Sequence, residues 1–197
     1  MTAAPRPRRL LIVLLSLLLA AACGTPAPSA SPASSASPGN EAPVAGVTRS
    51  LPTALDVPAI DARSSLVSLG LNPDRTVEVP PVDQPLQAGW YEYGPTPGEA
   101  GPAVILGHID GAHRKGIFWR LHELKPGEEV HVDREDGGRL TFAVTKVEQI
   151  AKKEFPTEAV YGNTTDPELR LITCGGRYDA ANRNYLDNVI VYAKLKR

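Results

Sequence analysis

Apolar and polar positions are distributed unevenly along the chain. Residues 10–22 form an apolar run broken only by Ser16 and preceded by Arg6, Arg8 and Arg9. As a helix rising about 1.5 Å per residue, that run would reach roughly 20 Å, short of the ~30 Å hydrocarbon core of a bilayer. A basic start, a short apolar middle and small residues after it predict a secretory signal segment. Residues 24–52 are almost entirely Ala, Ser, Pro, Gly and Thr, with hardly any large apolar side chain. Such a stretch cannot bury enough surface to offset the entropy of ordering, and it predicts a disordered, partly extended linker.

From residue 53 onward the pattern changes to short apolar runs with strand character. Residues 54–60 and 76–79 alternate and are interrupted or ended by Pro58 and Pro80. Residues 102–108 are continuously apolar up to Gly107-His108, as expected of a strand covered on both faces. Val130 and Val132, then Leu140, Phe142 and Val144, alternate with polar residues around Asp136-Gly137-Gly138, which predicts a hairpin. Residues 169–174 and 188–193 complete the set, and short helices are expected at 118–121 and 157–161. Short strands at this spacing predict an all-β fold closed into a barrel.

Composition adds limits. The chain has 197 residues and a net charge of −1. The first 52 residues carry four arginines and one glutamate, leaving 17 basic and 21 acidic residues beyond them, a net of −4. That balance excludes a general electrostatic attraction to nucleic acid. Nineteen prolines and 17 glycines beside three phenylalanines argue against a helical bundle. No metal-ligand spacing, phosphate loop or dinucleotide fingerprint is present, so no metal or cofactor is expected.

Of the two cysteines, Cys23 follows the apolar run directly, in Leu19-Ala20-Ala21-Ala22-Cys23-Gly24. This resembles a bacterial lipobox, with Ala20 where leucine is usual. The resemblance implies lipidation of Cys23 and an exported protein held at the outer face of the cytoplasmic membrane. An ordinary cleaved signal or an uncleaved anchor are the alternatives. Cys174 is then alone in residues 53–197, so no disulfide can form there. A lone cysteine is often a buried small hydrophobe. Here it ends an apolar strand and precedes Gly175-Gly176, and His108 likewise leaves the strand at 102–107. A thiol needs a nearby base or cation to act as a nucleophile, and the two residues meet that need if their strands adjoin. His113, His122 and His131 lie in polar stretches and read as solvated.

These residues, in this order, resemble those of a sortase. Arg170-Leu171-Ile172-Thr173-Cys174 is similar to the family's Thr-Leu-x-Thr-Cys signature, with Arg170 in place of its first threonine. Gly107-His108-Ile109-Asp110-Gly111 resembles the Gly-His-x-Asp segment of the actinobacterial class F enzymes. So do Ala88-Gly89-Trp90-Tyr91, Gly94-Pro95-Thr96-Pro97-Gly98, Phe155-Pro156-Thr157 and Tyr185-Leu186-Asp187-Asn188-Val189. The resemblance covers residues 53–197 and divides the chain into a signal segment at 1–23, a linker at 24–52 and a catalytic domain at 53–197. It implies a sortase-like barrel of about eight strands with one or two short helices.

What the resemblance implies chemically is a cysteine transpeptidase without a cofactor. Its partners would be a protein bearing a Leu-Pro-x-Thr-Gly-like sorting motif and an amine of the cell wall or of a pilin, with hydrolysis as a side reaction. Cys174 would attack the Thr carbonyl and His108 would move the proton to and from the amines. Arg183, nine residues after Cys174, would complete the site, with Arg177 as runner-up. Thr173 and Gly175 would shape the oxyanion site, and Asp110 would orient His108 or cap a turn. Trp90, Tyr91, Phe118 and Trp119 are expected to pack the barrel. The non-enzymatic alternative is a surface lipoprotein that keeps the barrel to bind peptide.

Overall fold

A computed structural model describes residues 46–197. The apolar leader run, Cys23 and residues 24–45 of the expected linker lie outside the described residues. Residues 46–51, which composition places in the linker, lie against the domain. Val47 N–H donates to Gly98 O at 2.8 Å, Arg49 pairs with Glu99 at 3.1 Å, and buried Arg134 donates to Thr48 O at 2.7 Å.

Ten strands follow in chain order: β1 (Pro52–Val57), β2 (Ala62–Leu69), β3 (Ala88–Tyr91), β4 (Gly101–Gly107), β5 (Asp110–Gly111), β6 (Arg114–Lys115), β7 (Glu129–Arg134), β8 (Arg139–Ala151), β9 (Pro167–Asp179) and β10 (Asn184–Leu195). Eight of them close a barrel in the order β1-β2-β3-β4-β9-β10-β8-β7, and β5 and β6 form a separate two-stranded ribbon. Among the described residues, one helix, α1 (Thr157–Tyr161), and short 3-10 turns at Pro58–Ile60, Leu121–Glu123 and Lys152–Glu154 accompany the strands. The all-β, closed-barrel expectation holds.

Alternation explains the interior. Leu55, Val57, Val130, Val132, Phe142, Val144, Leu169, Leu171, Val189 and Val191 all point inward and are almost fully buried. Each such side chain contributes roughly 1.5–3 kcal/mol relative to remaining exposed. The β7–β8 hairpin turns at Asp136-Gly137-Gly138, where Gly137 takes φ 83° and the Asp136 side chain accepts the Gly138 N–H at 3.0 Å.

β4 is apolar throughout because it is covered twice. Ala103 and Ile105 face the interior, while Val104 packs outside with Ile172, Ile190 and Val160 of α1. Arg170 lies in this outer layer. It is 3% exposed, donates to Glu168 at 2.6 Å and to Ala159 O at 3.2 Å, and stacks on Tyr192 at 4.7 Å. Its substitution for the signature threonine is thus a packing feature beneath α1.

Some expected elements differ. Residues 76–79 are not a strand: an isolated Leu71–Val77 bridge is all that forms, and Asp74 closes a turn by accepting from Thr76. Pro73, Pro80 and Pro81 lack N–H donors for a ladder. Residues 118–121 form successive tight turns instead of a helix, running into the Leu121–Glu123 turn. The expected strand at 54–60 stops at Val57, because Pro58 starts a 3-10 turn that Asp61 ends in the left-handed region. The apolar pattern does not predict β2, because Ser64 and Ser65 interrupt it.

Candidate active site

β4 and β9 are parallel neighbours, and their register runs from Gly101↔Pro167 to Leu106↔Ile172. His108 and Cys174 each lie two residues beyond that last pair, on strands separated by about 4.8 Å. Leu106 and Ile172 belong to the outer layer, so the period of two carries His108 and Cys174 to the same outer face. The topology therefore brings the two candidate residues, 66 positions apart in sequence, to one end of one strand pair.

Each is fixed locally. Gly107 is required because a Cβ there would lie 2.6 Å from both Ile117 Cγ2 and Phe118 Cδ2. Fully buried Phe118 donates its N–H to His108 O at 3.0 Å, and Gly116 N–H donates to Ile109 O at 2.8 Å. The His108 ring is held by Pro80 O, 2.6 Å from Nε2. A carbonyl oxygen only accepts, so Nε2 carries a proton and Nδ1 is the nitrogen left for proton exchange. Cys174, half-buried, pairs with Asn188 of β10 across the ladder.

Two clefts meet at these residues. One, of about 630 Å³, is lined by Val77, Val79, Leu106, Phe155, Tyr161 and Ile172 along with His108 and Cys174. The other, of about 700 Å³, is lined by Asp110, His113, Arg114, Lys115, Arg183 and Tyr185 along with the same two residues. The first is strongly apolar, and the second, the polar cleft, is the more polar of the two. Burial pushes the Tyr161 phenol up from its ordinary range, with a smaller contribution from Tyr91.

Arg183 lines the polar cleft from the turn between β9 and β10, exposed and at φ 50°. Arg177 is also exposed and lines neither cleft. Thr173 lines the apolar cleft, 4% exposed, and its Oγ1 has no hydrogen-bond partner among the described residues. Gly175 is buried on β9 opposite Asp187. Asp110 does not touch His108 in any hydrogen bond; its carboxylate accepts from the Tyr185 hydroxyl, tying the loop after β4 to β10. That bond, aided by partial burial, pushes the Tyr185 phenol up to about 12. Trp90 and Phe118 pack the barrel as expected, Tyr91 is half-buried, and Trp119 instead lies 37% exposed on the polar cleft beneath the Lys115 ammonium.

A family description, sortase domain, matches residues 55–196. The chain belongs to the sortase family. A comparison with curated proteins returned no match. Among solved structures, the barrel resembles sortase A from Corynebacterium diphtheriae, with a TM-score of 0.57 at 18% identity over 76% of this chain and 62% of that one. Streptococcus agalactiae sortase C1 gives a TM-score of 0.56 at 18% identity over 73% and 66%. A Clostridium perfringens sortase D5 transpeptidase gives 0.54 at 19% over 75% and 79%. These likenesses show the fold, and the chain spans less than two thirds of the Corynebacterium diphtheriae chain.

This sortase holds site residues that sequence reasoning missed. Lys152 Nζ lies 3.4 Å from Cys174 Sγ and donates to Asn184 Oδ1 at 2.6 Å. Nothing distinguishes Lys152 from its neighbour Lys153 in sequence; the 3-10 turn after β8 decides which one faces the thiol. Pro80 acts through its backbone and carries no side-chain signal.

Proposed function

We propose that this sortase is a cysteine transpeptidase that cuts a Leu-Pro-x-Thr-Gly-like sorting motif between Thr and Gly and passes the acyl group to an amine. The observation that carries the reading is the convergence of His108 and Cys174 at the ends of paired parallel strands, at the meeting point of two clefts. The apolar cleft suits the Leu-Pro part of such a motif.

In this reading Cys174 Sγ, as thiolate, attacks the Thr carbonyl carbon. The C–N bond breaks as His108 delivers a proton to the departing amine. The resulting thioester is attacked by an incoming amine, or by water in the side reaction, and His108 takes up the proton. Arg183 hydrogen-bonds the carbonyl oxygen as it gains charge, and backbone around Thr173 and Gly175 shapes that site. Lys152 stands beside the sulfur as a further cation. The Gly-His-Ile-Asp and Tyr-Leu-Asp-Asn-Val segments support assignment to class F.

The test is peptide cleavage with hydroxylamine as acceptor. Cys174→Ala abolishes turnover, and His108→Ala loses nearly as much, because residues acting as a unit are not additive. Wild-type-like turnover in Cys174→Ala would refute the assignment.

The leader supports export and anchoring through a lipid on Cys23 at the outer face of the cytoplasmic membrane. Mass spectrometry of the mature protein should find a diacylglyceryl group on an N-terminal cysteine. An intact leader, or an unmodified start beyond residue 23, contradicts it.

A further inference from the structure

The polar cleft has a use beyond forming one wall of the thiol site. When a thioester is made from a peptide and then passed to an amine, the departing and the entering amine occupy the same side of the carbonyl, because the second step retraces the first with a different amine. A transpeptidase therefore needs two separate bays meeting at its nucleophile, one for the acyl chain and one for the amines. Here two clefts share His108 and Cys174. The boundary between them is a built feature: Lys152 lines the apolar cleft, Asn184 lines the polar one, and their 2.6 Å hydrogen bond crosses beside Sγ.

The two clefts differ in charge. Arg114, Lys115 and Arg183 line the polar one, and Asp110 is its one acidic lining residue. Asp110 is already engaged by the Tyr185 hydroxyl. Arg114 and Arg183 have no ion-pair partner among the described residues. Arg114 and Lys115 project from the β5–β6 ribbon, whose register pairs Gly111 with Arg114 and Asp110 with Lys115. Lys115 rests on the face of Trp119 at 5.1 Å, which fixes its ammonium on the cleft wall. A wall with more cations than carboxylates beside the reacting centre matches an anionic group on the incoming molecule.

We propose that the polar cleft is the acceptor bay, and that it selects an amine whose own molecule carries a carboxylate close to the reactive nitrogen, read by Arg114 and Lys115. This rests on the reading of Cys174 as the thioester-forming nucleophile. In the step, the lone pair of the neutral amine forms a C–N bond to the thioester carbon. The C–S bond breaks, its electron pair returns to Sγ, and the amine proton passes to His108. The carboxylate stays on the cationic wall throughout and takes no part in bond changes.

The full chain is incubated with a Leu-Pro-x-Thr-Gly peptide and either diglycine or diglycinamide, which differ in the carboxylate. Transfer and hydrolysis products are quantified by mass spectrometry, so that each acceptor is scored as transfer relative to hydrolysis of the same thioester. Two exposed ion pairs to the carboxylate are expected to give roughly a fivefold preference for diglycine. That preference should shrink as salt is raised. In Arg114→Ala/Lys115→Ala it falls to the intrinsic ratio of the two amines, and Arg114→Glu lowers it further. Both side chains are exposed, so neither change removes a core contact. A wild-type preference that survives in the double variant and in Arg114→Glu, or no wild-type preference, overturns the acceptor assignment alone. Absence of any thioester on Cys174 overturns the underlying reading and this one with it.

Discussion

Replacing Arg183 by glycine should make the protein more stable and less active at once. Arg183 sits at φ 50° in an exposed turn, a conformation that costs an L-residue about 1–2 kcal/mol. The turn does not depend on the arginine side chain. Asp179 builds it by accepting from Ala181 N–H at 3.0 Å and from Asn182 Nδ2 at 2.8 Å, which holds its carboxyl below the usual range. Glycine removes the left-handed cost and returns roughly 0.4–1 kcal/mol through greater freedom of the unfolded chain, for a net gain of about 0.5–1 kcal/mol. For a domain of this size that corresponds to a rise in Tm of about 2 °C. Losing one oxyanion donor, in contrast, costs about 2.7–4 kcal/mol in the transition state, or roughly 10²–10³ in rate. Circular dichroism gives the first quantity, and single-turnover acylation of Cys174 by a sorting peptide gives the second. Arg183→Lys should recover only part of the rate, since a point charge lacks the fixed fork of donors. Arg177→Ala should be mild. Wild-type acylation in Arg183→Gly refutes the role of Arg183, and a slow Arg177→Ala would move that role to Arg177.

Three further outcomes are expected. Arg170→Ala takes the closest partner from half-buried Glu168, which keeps Lys194 at 3.5 Å, and removes the buried guanidinium packed on Tyr192; it should lower unfolding free energy by about 2 kcal/mol in urea titrations; a change within error contradicts the packing role. Lys152→Met removes the partly exposed cation 3.4 Å from Sγ, and alkylation of Cys174 by iodoacetamide at neutral pH should slow by about threefold. An unchanged rate removes Lys152 from the site. Tyr185 should remain un-ionised until about pH 12 in ultraviolet difference titration. Because its folded value is raised, the Asp110 bond stabilises fully below pH about 10 and is lost as pH rises through the folded value. Asp110→Asn should return this phenol toward the ordinary tyrosine range, and no change there contradicts the assignment.

The barrel was legible wherever both faces of a strand carried a signal. The unbroken apolar run of β4 reads correctly because Ala103 and Ile105 meet the interior while Val104 meets α1. The Asp-Gly-Gly turn reads correctly because its chemistry is local. β2 was illegible because its buried Ser64 serves a local purpose: its hydroxyl accepts the Ala88 N–H at 2.9 Å, a contact no pattern within residues 62–69 encodes. Residues 76–79 mislead because alternation cannot reveal that no neighbouring strand is available. In the site, His108 and Cys174 were marked by their place at strand ends, whereas Lys152 and Pro80 reach it through a turn and a backbone carbonyl. The link between Asp110 and Tyr185 spans 75 positions and depends wholly on barrel closure.

The most direct measurement is intact-protein mass spectrometry after brief exposure of the full chain to a Leu-Pro-x-Thr-Gly peptide, without added amine. A thioester adduct ending at the Thr carbonyl should appear, map to Cys174, and disappear on treatment with hydroxylamine. It should be absent in Cys174→Ala and slow to form in Arg183→Gly. Cleavage of the peptide with no adduct on Cys174, or an adduct that persists in Cys174→Ala, would contradict nucleophilic catalysis by this thiol.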